Sequence, residues 1–336
     1  MSMEVIHPGL LTSIQDFGRF GNQKYGVIVN GAMDTLSHRV ANLLVGNAEK
    51  MGTIEMNMQG AAFRFHSDAF IAITGAEMNA TIDGAPVPMW RPIFVYKDAE
   101  LKFGFSQKGN RTYISVAGGF NIPKEMGSES TYLLAEIGGY KGRKLQEGDF
   151  LSFRKSVPAP DSMNPKHSPH FTAADWSVSS EYHPVLRMDE PIRVIRGKEF
   201  GWFDSHSQQA FFQESFNITP QSDRMGYRLD GHLLSLQNPA ELISEAVTFG
   251  TIQVPAEGNP IILMADRQTT GGYPKIGQVI SVDLPVLAQK KPGETIMFRE
   301  VSHAEAEKQY ILREKAVLQL KRGLAMFHQL DHHPID

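Results

Sequence analysis

The sequence predicts a mainly β protein made of two tandem β units, with a few short helices and a C-terminal helix. Short apolar segments recur about every ten residues between Thr53 and Phe153, with Gly, Asp and Pro between them. This spacing is typical of a β-sandwich or β-barrel. Strand-like segments resume near residue 185 and align with the first half at a nearly constant offset. A repeat of that kind indicates two copies of one β-rich unit.

Composition narrows the class of protein. The chain has 336 residues, of which 41% are hydrophobic and 21% charged, which are ordinary values for a globular protein with room for two domains. The net charge of −4, with no block of like charge, argues against nucleic acid or an anionic membrane as the main partner. The absence of cysteine excludes disulfides and thiolate nucleophiles. With neither a signal-peptide pattern nor a long apolar run, we expect a cytoplasmic protein.

The first unit, residues 1–154, begins with a short strand and a glycine-rich loop and then enters a helix at Asp34. Asp34 is a plausible N-cap and Gly46 a plausible stop. The apolar stripe of this helix is formed by Leu36, Val40, Leu43 and Leu44. Arg19 and His38 are expected on a solvated surface. No phosphate-binding G-x-x-x-x-G-K-[ST] motif occurs anywhere in the chain.

The remaining boundaries follow from changes in composition. Residues 155–184 are rich in Pro, Ser and His and poor in apolar residues, which predicts an extended linker. Residues 185–300 form the second unit, and 301–336 a C-terminal helix and tail. Ser302 and Glu305 match a capping box at the start of that helix. Its apolar side is expected to include Ile311, Ala316 and Leu320.

The strongest candidate for a functional site lies in the second unit, between Glu245 and Lys275. The apolar run PIILMA has strand length, and the polar loop DRQTTGGYPK follows it directly. A buried strand that ends in a dense polar loop with two glycines is a place where a rigid scaffold presents chemistry. In the preceding segment TIQV, strand alternation predicts that Gln253 points away from the apolar layer.

The repeat indicates that the candidate site lies mainly in the second copy of the β unit. The aligned pairs, all about 190 residues apart, are Val5-Ile6 with Val194-Ile195, Leu43-Leu44 with Leu233-Leu234, Glu55 with Glu245, Gly60 with Gly250, and Gly75 with Asp266. The first copy has plain residues where the second has the polar loop. A cleft between two such units is a common place for a ligand.

Long motifs of the chain resemble one bacterial family, that of the C subunit of 5-oxoprolinase, also called allophanate hydrolase subunit 2 or KipA. These motifs are VIHPGLLTSIQDFGRFGNQKYGV, GAMDTLSHRVANLLVGN, SDRMGYRLDG and GTIQVPAEGNPIILMADRQTTGGYPKIG. The resemblance implies a tandem of cyclophilin-like β-barrels and two partners, subunits A and B. It implies ATP-driven hydrolysis of 5-oxoproline to glutamate by the complex, with ATP shared with the partner and Mg²⁺ a possible companion. The chain lacks a Met-Lys-Met biotin-attachment motif, so it would carry no covalent biotin.

Such a reaction implies phosphorylation of the amide oxygen followed by attack of water. The candidate catalytic residues are Asp266, Glu245 and Lys275. The candidate residues for binding substrate or ATP are Arg224, Arg228, Gln253, Arg267, Gln268, Thr270, Tyr273 and Asp34. A metal-binding cluster is not expected. Structural alternatives remain open: Asp266 could pair with Arg267, and Glu245 with Arg224.

Two other functions are compatible with the same resemblance. One is a regulatory protein of the KipA type, which antagonises an inhibitor of a histidine kinase and catalyses nothing. The other is a carboxyltransferase component that acts with a biotinyl protein in a urea carboxylase or allophanate hydrolase type of system. The residues alone do not separate these chemistries.

Overall fold

The computed structural model describes residues 1–155, 170–238 and 242–330, and the chain divides into two compact units. Among the described residues, unit 1 contains 1–18, 34–155, 170–186 and 316–330, and unit 2 contains 19–33, 187–238 and 242–315. Both units are dominated by strands. The predicted mainly β class with two β units is therefore confirmed.

Besides its part of the C-terminal helix, unit 1 contains twelve strands and one α-helix among its described residues. They are β1 (Ser2–His7), β2 (Leu11–Gln15), α1 (Thr35–Leu44), β3 (Thr53–Asn57), β4 (Ala62–Phe65), β5 (Ala69–Glu77), β6 (Thr81–Ile82), β7 (Ala85–Pro86), β8 (Pro92–Val95), β9 (Glu100–Lys102), β10 (Lys108–Val116), β11 (Phe150–Ser152) and β12 (Phe171–Ala173). The strands form two antiparallel six-stranded sheets, in the orders β11-β1-β4-β9-β6-β7 and β12-β8-β5-β10-β3-β2.

Strand β5 shows why one segment of unit 1 is apolar along almost its whole length. Alternate side chains point to opposite faces of a strand. Ile71 and Ile73 enter the main core of the unit, to which both sheets contribute. Phe70 and Ala72 enter a second cluster, which the apolar stripe of α1 covers. Because both faces are buried, the sequence reads AFIAIT rather than alternating polar and apolar residues.

Helix α1 begins and ends as the sequence predicts. The Asp34 carboxylate accepts a hydrogen bond of 2.9 Å from the backbone N–H of Ser37, which satisfies a donor of the first helical turn. After Leu44 the chain reaches Gly46, whose φ of 72° suits glycine at the end of a helix. The buried side of α1 includes His38 as well as the apolar stripe.

Unit 2 is a closed barrel of seven strands with two short helices. Its elements are β13 (Ile192–Arg196), α2 (Ser205–Gln213), β14 (Ser215–Ile218), β15 (Gly226–Asp230), β16 (Glu245–Ala246), β17 (Thr251–Gln253), β18 (Ile261–Leu263), β19 (Thr270–Gly271), β20 (Lys275–Val279), α3 (Leu284–Ala288) and β21 (Thr295–Glu300). The barrel order is β13-β20-β17-β18-β15-β14-β21, and a parallel pair of β13 and β21 closes it. Phe211 of α2 is fully buried against Phe298 of β21 and fills this core. Strands β16 and β19 form a separate two-stranded ribbon.

The C-terminal helix α4 (His303–Leu330) is confirmed together with its capping residue. The hydroxyl of Ser302 accepts a 3.1 Å hydrogen bond from the N–H of Glu305. Val317 and Leu324 are buried in the cluster over α1, and Ala316 and Leu320 pack against it. Ile311, in contrast, is 44% exposed, so the predicted apolar side is wrong at that residue. The helix contributes residues 303–315 to unit 2 and the following residues to unit 1.

The predicted linker at 155–184 is wrong for its second part. Strand β12 pairs with β8, so residues 171–173 extend a sheet of unit 1. Val178 and Tyr182 are buried in the cluster over α1, and the Tyr182 hydroxyl donates a 2.9 Å hydrogen bond to the carbonyl of Ala316. Few apolar residues therefore suffice to dock this segment, because each of them is buried or packs against a core cluster. Residues 156–169, including His167, lie outside the described part of the chain.

The unit boundary near the N-terminus also differs from the predicted one. Residues 19–33 fall within the predicted first unit but belong to unit 2. The reason is packing: Met33 is fully buried in the barrel core of unit 2. The same segment is closed by a 2.7 Å hydrogen bond from the N–H of Arg19 to the carbonyl of Val29.

The predicted constant offset pairs β1 with β13, through Val5 and Val194, but it does not pair equivalent elements at other positions. Leu43 and Leu44 lie in α1, whereas Leu233 and Leu234 lie outside any helix. Glu55 lies in β3, a strand flanked by two others, whereas Glu245 lies in the two-stranded ribbon. Two β units are present, but the residue-by-residue alignment that suggested them is wrong at these positions.

Buried His38 makes the stability of the protein depend on pH. Its side chain is fully buried, contrary to the expected solvated surface, and its Nδ1 lies 2.8 Å from the Thr53 hydroxyl. Burial lowers the pKa of His38 from 6.5 to about 4, against the opposing fields of Asp16 and Glu55. Between these pH values the unfolded chain binds the proton more tightly than the folded chain does. The corresponding stability is complete above pH 6.5 and is lost as the pH falls towards 4.

We expect this histidine to contribute about 3 kcal/mol to the fall in unfolding free energy between pH 7 and pH 4. The measurement is urea unfolding of the wild type and of His38→Gln across that range. The variant, which has no imidazole, should lose correspondingly less stability on acidification, whatever its stability at pH 7. Parallel curves for the two proteins would contradict the assignment.

Candidate functional site

A cavity of about 510 Å³ lies in unit 2, beside the ribbon β16–β19. Its wall is formed by Asp223, Met225, Gly226, Arg228, Ser244, Gln253, Ile261, Leu263, Arg267, Gln268, Thr270, Gly271, Gly272 and Tyr273. These residues come from β15, β17 and β18, from the loop that follows β18, and from the ribbon. The volume is in the range of small-molecule sites.

The local folding of the loop explains how it reaches the cavity. Strand β18 ends at Leu263, and the chain turns sharply at residues 264–267. It then forms β19, whose Thr270 and Gly271 pair with Ala246 and Glu245 of β16. The chain re-enters the barrel at β20. The predicted succession of strand, polar loop and strand is confirmed, and the ribbon within the loop is what the sequence did not indicate.

Six of the eleven predicted site residues share the wall of this cavity. They are Arg228, Gln253, Arg267, Gln268, Thr270 and Tyr273. Arg228, Gln268, Thr270 and Tyr273 are exposed side chains. Gln253 is only 5% exposed, and it faces the cavity while its neighbour Ile252 enters the barrel core. The expectation that Gln253 points away from the apolar layer is therefore confirmed.

Arg267 brings a cation into a partly desolvated position on the wall. Burial lowers the pKa of Arg267 from 12.5 to about 10, and the nearby Asp266 carboxylate opposes this effect. The side chain therefore remains charged at neutral pH. Its guanidinium carbon lies 5.8 Å from the ring centre of Phe249, and its Nη1 is 3.4 Å from the carbonyl of Met264. Its Nε is buried without a hydrogen-bond partner.

Arg224 and Asp266 form a buried ion pair behind the wall. Nε of Arg224 lies 2.9 Å from Oδ2 of Asp266, and Nη2 lies 3.0 Å from Oδ1, which is a bidentate geometry. The two residues are 7% and 6% exposed. Nη2 also donates to the carbonyl of Gly31 at 2.6 Å. The chain neighbours Met225 and Arg267 line the cavity, so the pair fixes the backbone on which they stand.

This pair corrects two interpretations of the sequence. The partner of Arg224 is Asp266 and not Glu245, because β15 and the turn after β18 lie side by side. The carboxylate of Asp266 points to Arg224, which lies two residues before β15, and not to Arg267, the next residue in the chain.

Glu245 and Lys275 lie in an ion-pair network outside the wall residues. Oε2 of Glu245 is 2.9 Å from Nζ of Lys275, and Oε1 is 2.6 Å from Nζ of Lys198. Hydrogen bonds from these two lysines lower the pKa of Glu245 to about 2. Nζ of Lys275 is also 3.9 Å from buried Glu199. A carboxylate of such low pKa is a weak general base at neutral pH.

Asp34 belongs to unit 1, where it caps α1 and is fully buried. Besides the N–H of Ser37, its carboxylate accepts a 2.6 Å hydrogen bond from the Ser37 hydroxyl. The predicted capping role is confirmed. Asp34 is not among the residues that line the cavity.

Two polar wall residues, Asp223 and Ser244, were missed from the sequence. Asp223 stands directly before Arg224 in the motif SDRMGYRLDG, so its position in that motif was an available signal. Its Oδ1 accepts hydrogen bonds from the N–H groups of Met225 and Gly226, at 2.8 and 3.1 Å. Ser244 directly precedes Glu245. Its hydroxyl lies 3.4 Å from the position that a Cβ atom at Gly272 would take.

Two further features concern all of the described residues, metal-binding clusters and membrane-spanning helices. Within 1–155, 170–238 and 242–330, no group of three or more His, Cys, Asp or Glu side chains is arranged to hold a metal ion. In the same ranges, no helix has both the length and the apolar character needed to cross a membrane.

The chain is a mainly β protein whose barrel bears a polar cavity lined by two arginines, with a volume that suits a small molecule. The chain belongs to the family described as carboxyltransferase domain, subdomain A and B, whose model matches residues 25–300. The family predicted from the sequence motifs is thereby confirmed.

Individual relatives agree with this assignment. The chain is 40% identical to the C subunit of 5-oxoprolinase from Haemophilus influenzae over 88% of its own length and 90% of the relative. It is 38% identical to the corresponding 5-oxoprolinase C subunit from Escherichia coli over 91% and 93%. The crystal structure of Kluyveromyces lactis urea carboxylase superposes with a TM-score of 0.85 at 27% identity, covering 96% of this chain and 29% of that protein.

We expect Asp266→Ala to destabilise unit 2 by about 3–5 kcal/mol, because it leaves the buried guanidinium of Arg224 without its carboxylate. Urea unfolding of the full chain measures the effect. Glu300→Ala is the control, since it breaks the exposed pair with Arg196 and should cost less than about 1 kcal/mol. Equal losses for the two variants would show that the buried pair does not hold the loop.

Proposed function

We propose that this chain is the C subunit of an ATP-dependent 5-oxoprolinase, which converts 5-oxo-L-proline, ATP and water into L-glutamate, ADP and phosphate. The observation that carries the proposal is the cavity wall, which combines two arginines with amide and hydroxyl groups. Two relatives that carry this name, 38–40% identical over about nine-tenths of both chains, support it.

The chemistry of the wall suits this substrate. 5-Oxoproline presents a carboxylate and a lactam amide on one small ring. The guanidinium groups of Arg228 and Arg267 suit the carboxylate, or phosphate oxygens that come to the ring, because a planar guanidinium can bind two oxygens at once. Gln253, Gln268 and Thr270 offer hydrogen bonds to the amide. The exposed ring of Tyr273 can cover the ligand at the edge of the cavity.

The reaction needs the amide carbonyl to be activated before water can open the ring. In the proposed sequence the terminal phosphoryl group of ATP moves to the lactam oxygen and ADP leaves. Water then adds to the activated carbon, and the C–N bond breaks with a proton passing to nitrogen, which leaves an acyl phosphate. A second water hydrolyses this acyl phosphate to the carboxylate and free phosphate. Arg267 stands in a partly desolvated position where a guanidinium stabilises developing negative charge more strongly than it does in water.

ATP is proposed to be shared with the partner subunit. Mg²⁺ usually binds through one or two carboxylates together with the phosphates of a nucleotide. The fourteen wall residues include one carboxylate, Asp223, and its Oδ1 is already engaged by two backbone N–H groups. The wall residues therefore do not fit an Mg²⁺ site formed by this chain alone.

The three catalytic candidates receive supporting roles in this proposal. Asp266 positions Arg224 and the start of the loop, since both of its oxygens accept hydrogen bonds from that guanidinium. Glu245 and Lys275 fix β16 next to the first residue of β20. The side chains that contact the substrate are the six predicted residues on the wall, together with Ser244.

The name of the relatives implies a hydrolase that works as a complex. We propose subunits A and B of 5-oxoprolinase as the partners, and a chain that is inactive by itself. We place the complex in the cytoplasm, where ATP is available.

A second candidate is carboxyl transfer together with a biotinyl protein. The matched family description and the superposition on urea carboxylase favour it. The same arginines and amide groups could bind a ureido ring and a carboxylate. This reaction would require bicarbonate upstream and would be blocked by avidin, whereas hydrolysis of 5-oxoproline would require neither biotin nor bicarbonate.

We expect the reconstituted mixture of subunits A, B and this chain to release ADP in a manner that depends on 5-oxoproline. Arg267→Met should lower kcat/KM by about 100-fold, because it removes a charge-assisted contact to the reacting group. Arg299→Met, at an exposed position on β21, should leave kcat/KM unchanged.

Each alternative outcome has a distinct meaning. No ADP release with all three components present would overturn the 5-oxoprolinase proposal. Turnover that requires bicarbonate and is abolished by avidin would favour carboxyl transfer. An Arg267→Met variant as active as the wild type would show that the cavity takes no part in the reaction.

A further inference from the structure

One acceptor and one donor on the cavity wall are buried without partners. The acceptor is Oε1 of Gln253, and the donor is Nε of Arg267. Both residues line the cavity. Leaving buried polar atoms unpaired is costly, and such atoms in a folded protein call for an explanation. A ligand that supplies the two missing hydrogen bonds provides one.

The backbone of Gln253 is held by strand pairing, and its carboxamide lies against the ribbon. Its strand, β17, is paired on both sides, with β18 and with β20. On the ribbon, Gly271 approaches the carboxamide so closely that a Cβ atom there would lie 2.7 Å from Nε2 and 2.9 Å from Oε1. The φ of Gly271 is not in the left-handed region. A side chain at position 271 would therefore displace the end of the Gln253 side chain, whereas the backbone conformation there does not call for glycine.

We propose that Gln253 is a specificity-determining residue that recognises the N–H of an amide in the ligand. This inference rests on the proposed function and deepens it. The N–H of the ligand donates to Oε1 of Gln253, and the carbonyl oxygen of the same amide accepts from Nε of Arg267. The ligand class is a small amide, lactam or urea whose nitrogen carries a hydrogen. Esters and lactones of the same shape are rejected, because they leave the glutamine acceptor unpaired.

The strength of the discrimination between amides and esters follows from the burial of Oε1 of Gln253. A site built to hydrogen-bond a particular group rejects analogues that lack it far more strongly than an apolar pocket rejects a difference in shape. Gln268 offers an internal comparison. It carries the same carboxamide on the same wall but is exposed, so water can replace a lost ligand contact.

The test compares lactams with lactones that differ from them only at the ring N–H. One pair is 5-oxoproline and 5-oxotetrahydrofuran-2-carboxylate, and the other is 2-pyrrolidinone and γ-butyrolactone. Affinities are measured by ligand-observed NMR with the full chain, alone and with subunits A and B. The wild type should bind each lactam at least about 10-fold more tightly than its lactone.

Two variants locate the effect, and a third is the control. Gln253→Met removes the acceptor at similar volume and should reduce the preference to within about 3-fold. Gly271→Ala displaces the carboxamide without removing it and should reduce the preference in the same way. Gln319→Met, at an exposed position of α4 outside the wall, should keep the preference of the wild type. Thermal melting of each variant shows whether it has kept its fold.

The outcomes separate this inference from the proposed function. A wild type that prefers the lactam in neither pair overturns the inference. An unchanged preference in folded Gln253→Met overturns it as well, even where ADP release shows that the proposed function is correct. Retained lactam preference without 5-oxoproline-dependent ADP release would overturn the proposed function and leave the recognition of amides intact.

Discussion

The site in unit 2 depends on the buried ion pair between Arg224 and Asp266. Arg224 lies just before β15 and directly precedes the wall residue Met225. Asp266 lies just after β18 and directly precedes the wall residue Arg267. Neither charge is exposed enough to be solvated, so the pair is stable only when both partners are in place. It thereby fixes the start of β15 relative to the turn after β18. A hydrogen bond from Arg224 to the Gly31 carbonyl also connects the glycine-rich segment 19–33 to this ion pair.

The cavity is the consequence of this constraint. Three strands that are neighbours in the barrel, β15, β18 and β17, supply one part of the wall. The loop after β18 supplies the rest, folded into a ribbon with β16. A second set of charges, Lys198, Glu245 and Lys275, joins this ribbon to the barrel strand β20. The polar residues that face a ligand are thus carried by rigid strands and by a loop held at both ends, which is the arrangement that a precise binding site requires.

Different kinds of residue were predictable to different degrees. Asp34, Gly46, Ser302 and the apolar stripe of α1 were placed correctly, because helix ends and helix faces depend on residues within one turn. The strand that ends at the polar loop was placed correctly for the same reason. The linker prediction was wrong at Val178 and Tyr182, because docking of a segment poor in apolar residues depends on the few side chains that are buried. The alignment of Leu43 with Leu233 was wrong, because shared residue types at a fixed spacing do not require shared structure.

The sequence predicts the β class, the family, the location of the polar loop and six of the eight polar side chains on the cavity wall. These follow from patterns within short stretches and from long motifs. The ion-pair partners of the charged residues, in contrast, depend on the tertiary structure. Asp266 is adjacent to Arg267 in the chain, yet it pairs with Arg224, 42 residues away, because strand pairing brings those two side chains together in a buried place. The same cause separated Glu245 and Lys275 from the wall and placed the carboxamide of Gln253 against Gly271, with its Oε1 buried and without a hydrogen-bond partner. Charge pairing acts through distance in space, and in a barrel that distance is set by strand register and not by position in the chain.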